Sequence, residues 1–129
     1  MSFNLGKPIT LAMLTMMPIL FGGELVALAD NFGAIARSRN TGDKGYAWNF
    51  STREQAERRA RRECANVSGA DDCRALLWFK NACGSIAEAS NGGAGTGWGT
   101  DEALAERYAL ESCSTVGSRC RVVRTFCTD

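Results

Sequence analysis

Histidine is absent from this chain of 129 residues, and its absence excludes several kinds of catalytic site. Ser-His-Asp and Cys-His nucleophilic sites both need an imidazole base. Beyond the N-terminal segment the only lysines are Lys44 and Lys80, so a lysine base would have to be one of these. The chain also lacks a Cys-x-x-Cys motif, which zinc sites commonly use, and we expect neither a metal nor another cofactor.

A strong charge of either sign is missing as well. The chain has 15 basic and 14 acidic residues, which leaves a net charge of +1. This balance gives no general attraction to nucleic acid or to an anionic surface. We therefore expect neither a nucleic acid nor a membrane as the partner of the folded part.

A signal peptide is predicted over residues 1–29. An apolar run, Ile9 to Phe21, follows the single basic residue Lys7, and Ala27-Leu28-Ala29 fits the small-x-small rule for signal peptidase. No twin arginine precedes the run and no cysteine follows it, which favours the general secretion route without a lipid anchor. An uncleaved membrane anchor, Ile9 to Ala29, is the alternative, because its length just spans a bilayer. Cleavage after Ala29 would make the protein secreted or periplasmic.

Cysteine is plentiful where histidine is missing. All six cysteines lie after Ala29, and an even number in an exported chain indicates three disulfides. A domain of residues 30–129 buries only about 60–65% of its unfolded surface, so it needs such links to be stable.

An internal repeat is the most informative pattern in the sequence. Matched segments recur at a spacing that shrinks from 51 to 47 residues, as expected for one copied unit with small deletions. The matches are Gly33-Ala34-Ile35-Ala36 with Gly84-Ser85-Ile86-Ala87, Gly45-Tyr46-Ala47-Trp48 with Gly95-Thr96-Gly97-Trp98, Ala56-Glu57-Arg58 with Ala105-Glu106-Arg107, and Cys73-Arg74 with Cys120-Arg121. The repeat units span about residues 32–80 and 83–127.

Each unit is predicted to fold as strand, strand, helix, strand. Apolar runs bounded by glycine-rich turns indicate the strands. Alanine stripes at helical spacing indicate the helices, which Ser51 or Thr52 and then Thr100 would cap. Tyr108 would lie on the inner face of the second helix. We expect one α+β domain, residues 30–129, with a single six-stranded, mostly antiparallel sheet and both helices on one face.

The repeat also predicts the disulfide pairing. In each unit one cysteine ends the helix and another opens the next strand, and equivalent positions should pair equivalently. We therefore predict Cys64–Cys73 and Cys113–Cys120. Cys83 and Cys127 remain, and they would join each other across the sheet.

The residues that carry these patterns resemble a known family. The pattern Gly-Ala-Ile-Ala-x-Ser-x-x-Thr-Gly-x-x-Gly, the alanine-rich helix ending in cysteine and the paired cysteines are similar to the bacterial secreted family called domain of unknown function 4189. The resemblance covers Phe32 to Asp129. It implies an exported, disulfide-bonded α+β domain, found alone or attached to other exported modules, and it brings no catalytic residues with it.

Two sets of residues are candidates for binding. Arg58, Arg59 and Arg62 lie on the outer side of the first helix, where an acidic partner could bind, although such charge runs are usually solvated. Trp48 and Trp98 occupy equivalent positions ahead of the two helices. We expect them to be core anchors, and the alternative is a pair of aromatic platforms that stack on sugar or peptide.

Carboxylates and glycines offer weaker candidates. Asp43 and Glu88 could form the acid pair of a glycoside hydrolase, although both fit ordinary exposed acids. The glycine-rich segment Asn91–Gly99 lacks Gly-x-Gly-x-x-Gly spacing and a following Gly-Lys-Ser/Thr, so it predicts a turn and not a phosphate loop.

These patterns lead us to expect a secreted, non-enzymatic binding or effector module. Its partner would be an extracytoplasmic protein or polymer. One alternative is an inhibitor of an extracellular enzyme. Another is a carboxylate-dependent hydrolase that acts on an extracellular polymer.

Overall fold

The computed structural model describes residues 29–129, so the predicted signal peptide lies almost entirely outside the described residues. The elements are β1 (Phe32–Ser38), β2 (Lys44–Phe50), α1 (Arg53–Ser68), β3 (Cys73–Lys80), β4 (Cys83–Glu88), β5 (Ala94–Gly99), α2 (Glu102–Ser114) and β6 (Arg121–Cys127). Each predicted unit therefore has the expected order of strand, strand, helix, strand. Within the described part, no helix has both the length and the apolar character that crossing a membrane requires.

The strands form two antiparallel sheets, with strand orders β2-β1-β3 and β5-β4-β6. The prediction of one six-stranded sheet is wrong. The central strands explain the difference, because β1 is buried on both faces, with Ala34 and Ala36 on one and Ile35 on the other. A single sheet with helices on one face would have left Ile35 in water, whereas a second sheet covers it.

The molecule has four layers, in the order helix, sheet, sheet, helix. Between the sheets lies an apolar cluster built on Ile35, Tyr46, Phe79, Ala82 and Ile86. The helices cover the outer faces: α1 packs on the alanines of β1 and β2, and α2 packs on β4 and β5. The predicted placement of both helices on one face is therefore also wrong.

Each helix lies close to its sheet because small residues line the contact. Ala56, Ala60 and Cys64 of α1 are fully buried. The approach is equally close in both halves, since a Cβ atom added at Gly45 would come within 2.0 Å of a backbone atom of α1, and one added at Gly95 or Gly97 would come within 2.1 Å or 2.4 Å of backbone atoms of α2. Glycine is needed at these positions because the helix backbone occupies the place of a side chain.

Side-chain caps fix where the helices begin. The hydroxyl of Thr52 accepts a hydrogen bond from the amide of Gln55 at 3.2 Å, as one predicted alternative has it. In α2 the cap is Asp101, whose carboxylate accepts from the amide of Leu104 at 2.8 Å. The predicted cap Thr100 is wrong by one residue, and the carboxylate suits the positive end of the helix dipole.

Three disulfides join Cys64 to Cys73, Cys113 to Cys120, and Cys83 to Cys127. This is the pairing that the repeat predicts. The first two each tie a helix to the strand that follows it. The third joins neighbouring strands of the second sheet, where Cys83 and Cys127 face each other in the ladder.

The two sheets share their strand order, and the ladders β1–β3 and β4–β6 also share their register. Phe32 pairs with Lys80 in the first sheet, and Cys83 pairs with Cys127 in the second. Both ladders shift register at one place, between Ile35 and Ala36 and between the matched pair Ile86 and Ala87. Positions can therefore be compared between the halves one by one.

The two ends of the described domain meet. The Thr128 hydroxyl donates to the Asn31 carbonyl at 3.0 Å, and the amide of Asn81 donates to the same carbonyl at 2.9 Å. The amide of Thr128 donates to the carbonyl of Ala82 at 2.8 Å. The ends are thus held at the turn that connects the two halves.

Candidate functional site

The predicted arginine face of α1 is exposed. Arg59 Nε lies 3.8 Å from Glu63 Oε2, and neither Arg58 nor Arg62 makes an ion pair with any residue from 29 to 129. Pairs of this kind on a helix surface contribute only about 0.2–0.5 kcal/mol. Arg59 and Trp48 line one cavity of about 230 Å³, so the structure brings two predicted binding residues together.

The carboxylate candidates do not behave as a catalytic pair. Glu88 Oε2 accepts from Arg37 Nε at 2.9 Å and from Lys44 Nζ at 2.8 Å. Partial burial alone would raise the pKa of Glu88, but the hydrogen bonds and charges of Lys44 and Arg37 outweigh it and hold that pKa below its ordinary value. A carboxylate kept ionised in this way is a poor general acid. Asp43 lies in the turn before β2, where its backbone amide donates to the Thr41 hydroxyl at 3.1 Å.

The cysteines and the possible metal ligands do not form a catalytic site either. All six cysteines form disulfides, so none of them offers a thiolate. Among residues 29–129, His, Cys, Asp and Glu side chains nowhere gather in threes as a metal site would require.

Both predicted core tryptophans lie at the surface. Trp48 is 46% exposed and Trp98 is 53% exposed, so the expectation that they are core anchors is wrong. The neighbouring positions on the strands, Ala47 and Gly97, are the ones that face the helices. Small residues fill that narrow contact, and the tryptophans are left near the open sides of the sheet pair.

The surroundings of the two tryptophans differ. Trp48 packs edge-on against Phe126, with ring centroids 5.9 Å apart, and the guanidinium of Arg124 lies 5.6 Å from its ring centroid. Arg124 also lies 4.3 Å from the ring centroid of Tyr46. Trp98, in contrast, makes no ring or cation contact with any described residue.

An apolar groove surrounds Trp98. It consists of two adjoining cavities of about 450 Å³ and 480 Å³, which share Leu77 and Trp98. We call this region the β3 groove; the side chains that define it are Leu76, Leu77, Trp78, Trp98, Leu104 and Tyr108. Four of its members, Leu76, Trp78, Trp98 and Tyr108, are exposed, so Tyr108 does not lie on the inner face as predicted. Exposed apolar side chains gathered in one groove are typical of a binding surface.

The groove is open because two positions differ between the halves. Leu77 pairs with Ile35 in the first sheet, and Arg124 pairs with the matched Ile86 in the second. The guanidinium of Arg124 therefore covers the edge of the sheet pair where Trp48 lies. The matched residue beside Trp98 is Leu77, which is shorter and uncharged. Thr96 likewise stands where the first half has Tyr46. The smaller side chains leave the space that forms the β3 groove.

One end of the groove is cationic. A third cavity, of about 320 Å³, shares Leu76 with the β3 groove and is also lined by Arg37, Arg39 and Arg74. Arg37 is engaged with Glu88, whereas Arg39 and Arg74 are exposed and form no ion pair with any described residue. The site thus combines an apolar centre with free positive charge at one end.

Sequence reasoning found Trp98 but missed the rest of this groove. Leu76, Trp78 and Tyr108 resemble core residues in a strand or helix pattern, and nothing in that pattern marks them as exposed. The available signal was the mismatch of Leu77 with Arg124 at matched positions of the repeat. A charge in one copy and leucine in the other indicates that the two edges have different surroundings.

A family model described as "Domain of unknown function (DUF4189)" matches residues 32–127. Among curated proteins, the chain is 43% identical over 70 residues to Protein Rv1269c of Mycobacterium tuberculosis and equally to Protein Mb1300c of Mycobacterium bovis. The match covers 52% of this chain and 52% of each relative, so the chain is matched to about half the length of these relatives.

A solved structure is similar over nearly the whole chain. It is the NMR structure of Rv1813c from Mycobacterium tuberculosis, with a TM-score of 0.50 and 21% sequence identity. The similarity covers 94% of this chain and 97% of that chain. At this identity the likeness concerns the fold alone.

Proposed function

The chain belongs to the DUF4189 family, and we propose that it is an exported, non-enzymatic binding module whose partner occupies the β3 groove. The partner would be an extracytoplasmic protein or polymer. An inhibitor of an extracellular enzyme would be one form of such a module.

Export is supported by the sequence and by the disulfides. Ala27-Leu28-Ala29 follows an apolar run, as at a signal peptidase site. Three disulfides persist in oxidising surroundings and are rare in the cytosol. We therefore propose that the mature protein begins at Asp30 and lies outside the cytoplasm.

The observation that carries the binding proposal is the difference between Leu77 and Arg124. Edge strands of sheets are commonly protected by a charged residue, and Arg124 has that role in β6. The matched strand β3 has an uncharged run, Leu76–Phe79, in the middle of its edge. An unprotected apolar edge risks aggregation, and a binding function explains why it is exposed.

Binding is better supported than catalysis. Glu88 is held by two cations, the cysteines are oxidised and histidine is absent. A hydrolase that depends on Asp43 and Glu88 would need one carboxyl group to stay protonated, and the lowered pKa of Glu88 does not suit that role.

We also infer that the domain arose by copying one strand, strand, helix, strand unit. The shared element order, the shared register shift beside Ile35 and Ile86 and the matched disulfides support this inference. Binding would then have developed where the copies differ.

Capture of extracellular material on immobilised protein tests the proposed function. We expect the Leu77→Arg variant not to bind the extracellular material that the unaltered protein captures. Arginine at this position would cover the groove, as Arg124 covers the other edge. The matched comparison is a triple change of Arg58, Arg59 and Arg62 to Glu, which alters the competing surface. Loss of capture with the triple change alone would show that the binding site lies on α1, which would contradict the proposal.

A further inference from the structure

We propose that the occupant of the β3 groove is an extended polypeptide segment that adds as a strand to the free edge of β3, with apolar side chains in the groove and an acidic residue beside Arg39 and Arg74. This inference rests on the proposed function and specifies the partner class of the same site.

The first argument is the path of the groove along a strand edge. One of its cavities is lined by five successive residues of β3, Leu76 to Lys80. Successive strand residues point to opposite faces, so a cavity that touches all five runs along the edge of the strand and not over one face. An extended chain fits such a path.

The second argument is that the edge is unpaired. The strand order β2-β1-β3 gives β3 a single neighbour in its sheet. Among the described residues, Arg74 to Phe79 form no backbone hydrogen bond outside that ladder. Their outward N–H and C=O groups are therefore free to pair with another strand, which is how sheet-edge recognition of peptides works.

The third argument is the alternation of side chains beside this edge. Leu77 and Phe79 pack toward the space between the sheets, and Leu76 and Trp78 lie on the other side. Trp98 faces the same cavity from β5. An added strand would place alternate side chains against Leu77 and Trp98, so we expect apolar residues at every second position of the partner.

The fourth argument is the positive charge at both ends of β3. Arg39 and Arg74 line the cavity at one end of β3, and Lys80 lies at the other, 3.9 Å from Asp30. The guanidinium of Arg53 lies 4.7 Å from the Trp78 ring centroid. These cations favour an acidic partner, because opposite charges across strands stabilise pairing.

The same observations disfavour two other occupants. A second copy of the chain would bring a second set of these cations to the edge and set like charges against each other. A fatty acid could use the apolar centre and the cationic end, but it would leave the backbone groups of β3 unpaired, which costs free energy once water is excluded.

Peptide selection followed by backbone methylation tests this proposal. A random peptide display library is selected on the disulfide-intact protein, and enriched peptides are synthesised for fluorescence anisotropy. We expect alternate apolar residues with Asp or Glu toward one end. Methylating backbone nitrogens at one set of alternate positions should weaken binding by about tenfold or more, and methylating the intervening set should have little effect.

Variants locate the peptide on the protein. Binding should fall about tenfold or more in Leu77→Arg, and paired Arg39→Glu and Arg74→Glu changes should reverse the preference for an acidic end. Trp98→Ala, at an exposed position, provides a second groove variant if Leu77→Arg fails to fold. Arg124→Glu on the opposite edge should leave peptide binding unchanged.

Several results would overturn the inference. These are an absence of enriched peptides, equal tolerance of methylation at both sets, binding of sodium dodecanoate alone, and a dimer in sedimentation equilibrium that Leu77→Arg abolishes. If capture of extracellular material still depends on Leu77 in such a case, the strand-addition inference fails while the proposed function stands. Capture that does not depend on Leu77 contradicts both.

Discussion

Leu77 and Arg124 occupy matched positions on the edge strands β3 and β6, each opposite an isoleucine of the central strand of its sheet, Ile35 or Ile86. The guanidinium of Arg124 lies over the rings of Tyr46 and Trp48. Leu77 cannot make an equivalent contact, and the groove beside Trp98 stays open. Together with Thr96 in place of Tyr46, this difference thus separates a closed edge from an open one.

Exchanging these two residues should exchange the properties of the edges. Leu77→Arg should reduce binding of the uncharged apolar dye Nile red, and Arg124→Leu should increase it by opening space beside Trp48. Arg124→Leu should also lower the free energy of unfolding by about 0.5–2 kcal/mol, because cation–π contacts are lost. Dye fluorescence and chemical denaturation measure the two effects. Unchanged circular dichroism excludes dye uptake by a loosened fold, and equal dye binding by all forms would contradict the groove assignment.

Gly97→Ala should destabilise the domain strongly. An added Cβ would lie 2.4 Å from the backbone nitrogen of Ala109, so α2 would have to move away from β5. Such overpacking costs about 1–3 kcal/mol or more, measured by chemical denaturation. Gly69→Ala is the matched control: its Cβ would meet no atom within 4 Å, and the cost there comes from its φ of 70°. That cost is about 1–2 kcal/mol, so a larger loss at Gly69 than at Gly97 would argue against the close helix contact.

The ion pairs of Glu88 should stabilise the fold at neutral pH and lose their effect in acid. The folded-state pKa of Glu88 lies below its unfolded value, so its contribution is complete above the unfolded pKa of about 4.3 and declines as pH falls through the folded pKa. Glu88→Gln should therefore cost about 1–3 kcal/mol at neutral pH. The difference from the unaltered protein should shrink below about pH 4.3. Urea denaturation at several pH values measures this, and a constant difference would mean that charge is not the cause.

Removing different disulfides should have unequal effects. Cys83 and Cys127 are 44 residues apart in sequence, whereas Cys113 and Cys120 are 7 apart. Loop-closure entropy predicts a loss of about 4 kcal/mol for the longer loop and about 2–3 kcal/mol for the shorter when both cysteines become serine. Chemical denaturation of the two double variants provides the comparison. A larger loss for the Cys113–Cys120 variant would show that native-state contacts outweigh chain entropy here.

The sequence specifies the elements of this fold better than their assembly. Alanine spacing at Ala56 and Ala60 and the matched cysteines predict the helices and the disulfide pairing, because these patterns are local or repeated. The sequence does not predict the number of sheets, because the burial of Ile35 on the second face depends on contacts with the other half. No local pattern distinguishes a residue covered by a sheet from one covered by a helix.

The candidate site illustrates the same limit. The match with Trp48 identifies Trp98, but the sequence pattern predicts both tryptophans in the core. Their exposure follows from the close approach of each helix to its sheet, α1 at Gly45 and α2 at Gly97, which leaves no room for an indole between helix and sheet. Tyr108 was misplaced for the same reason. Only a comparison of Leu77 with Arg124 could have located the groove in advance.

The meeting of Asn31 with Thr128 makes the path of the described domain nearly a closed circuit. Because both ends lie at the turn around Asn81, a short bridge could join them and new ends could be opened elsewhere. A circular permutant that starts at β4 would place the second half first and still preserve every contact between the halves. The fold would then not depend on which half is synthesised first. The groove would depend only on which residues face each other across it.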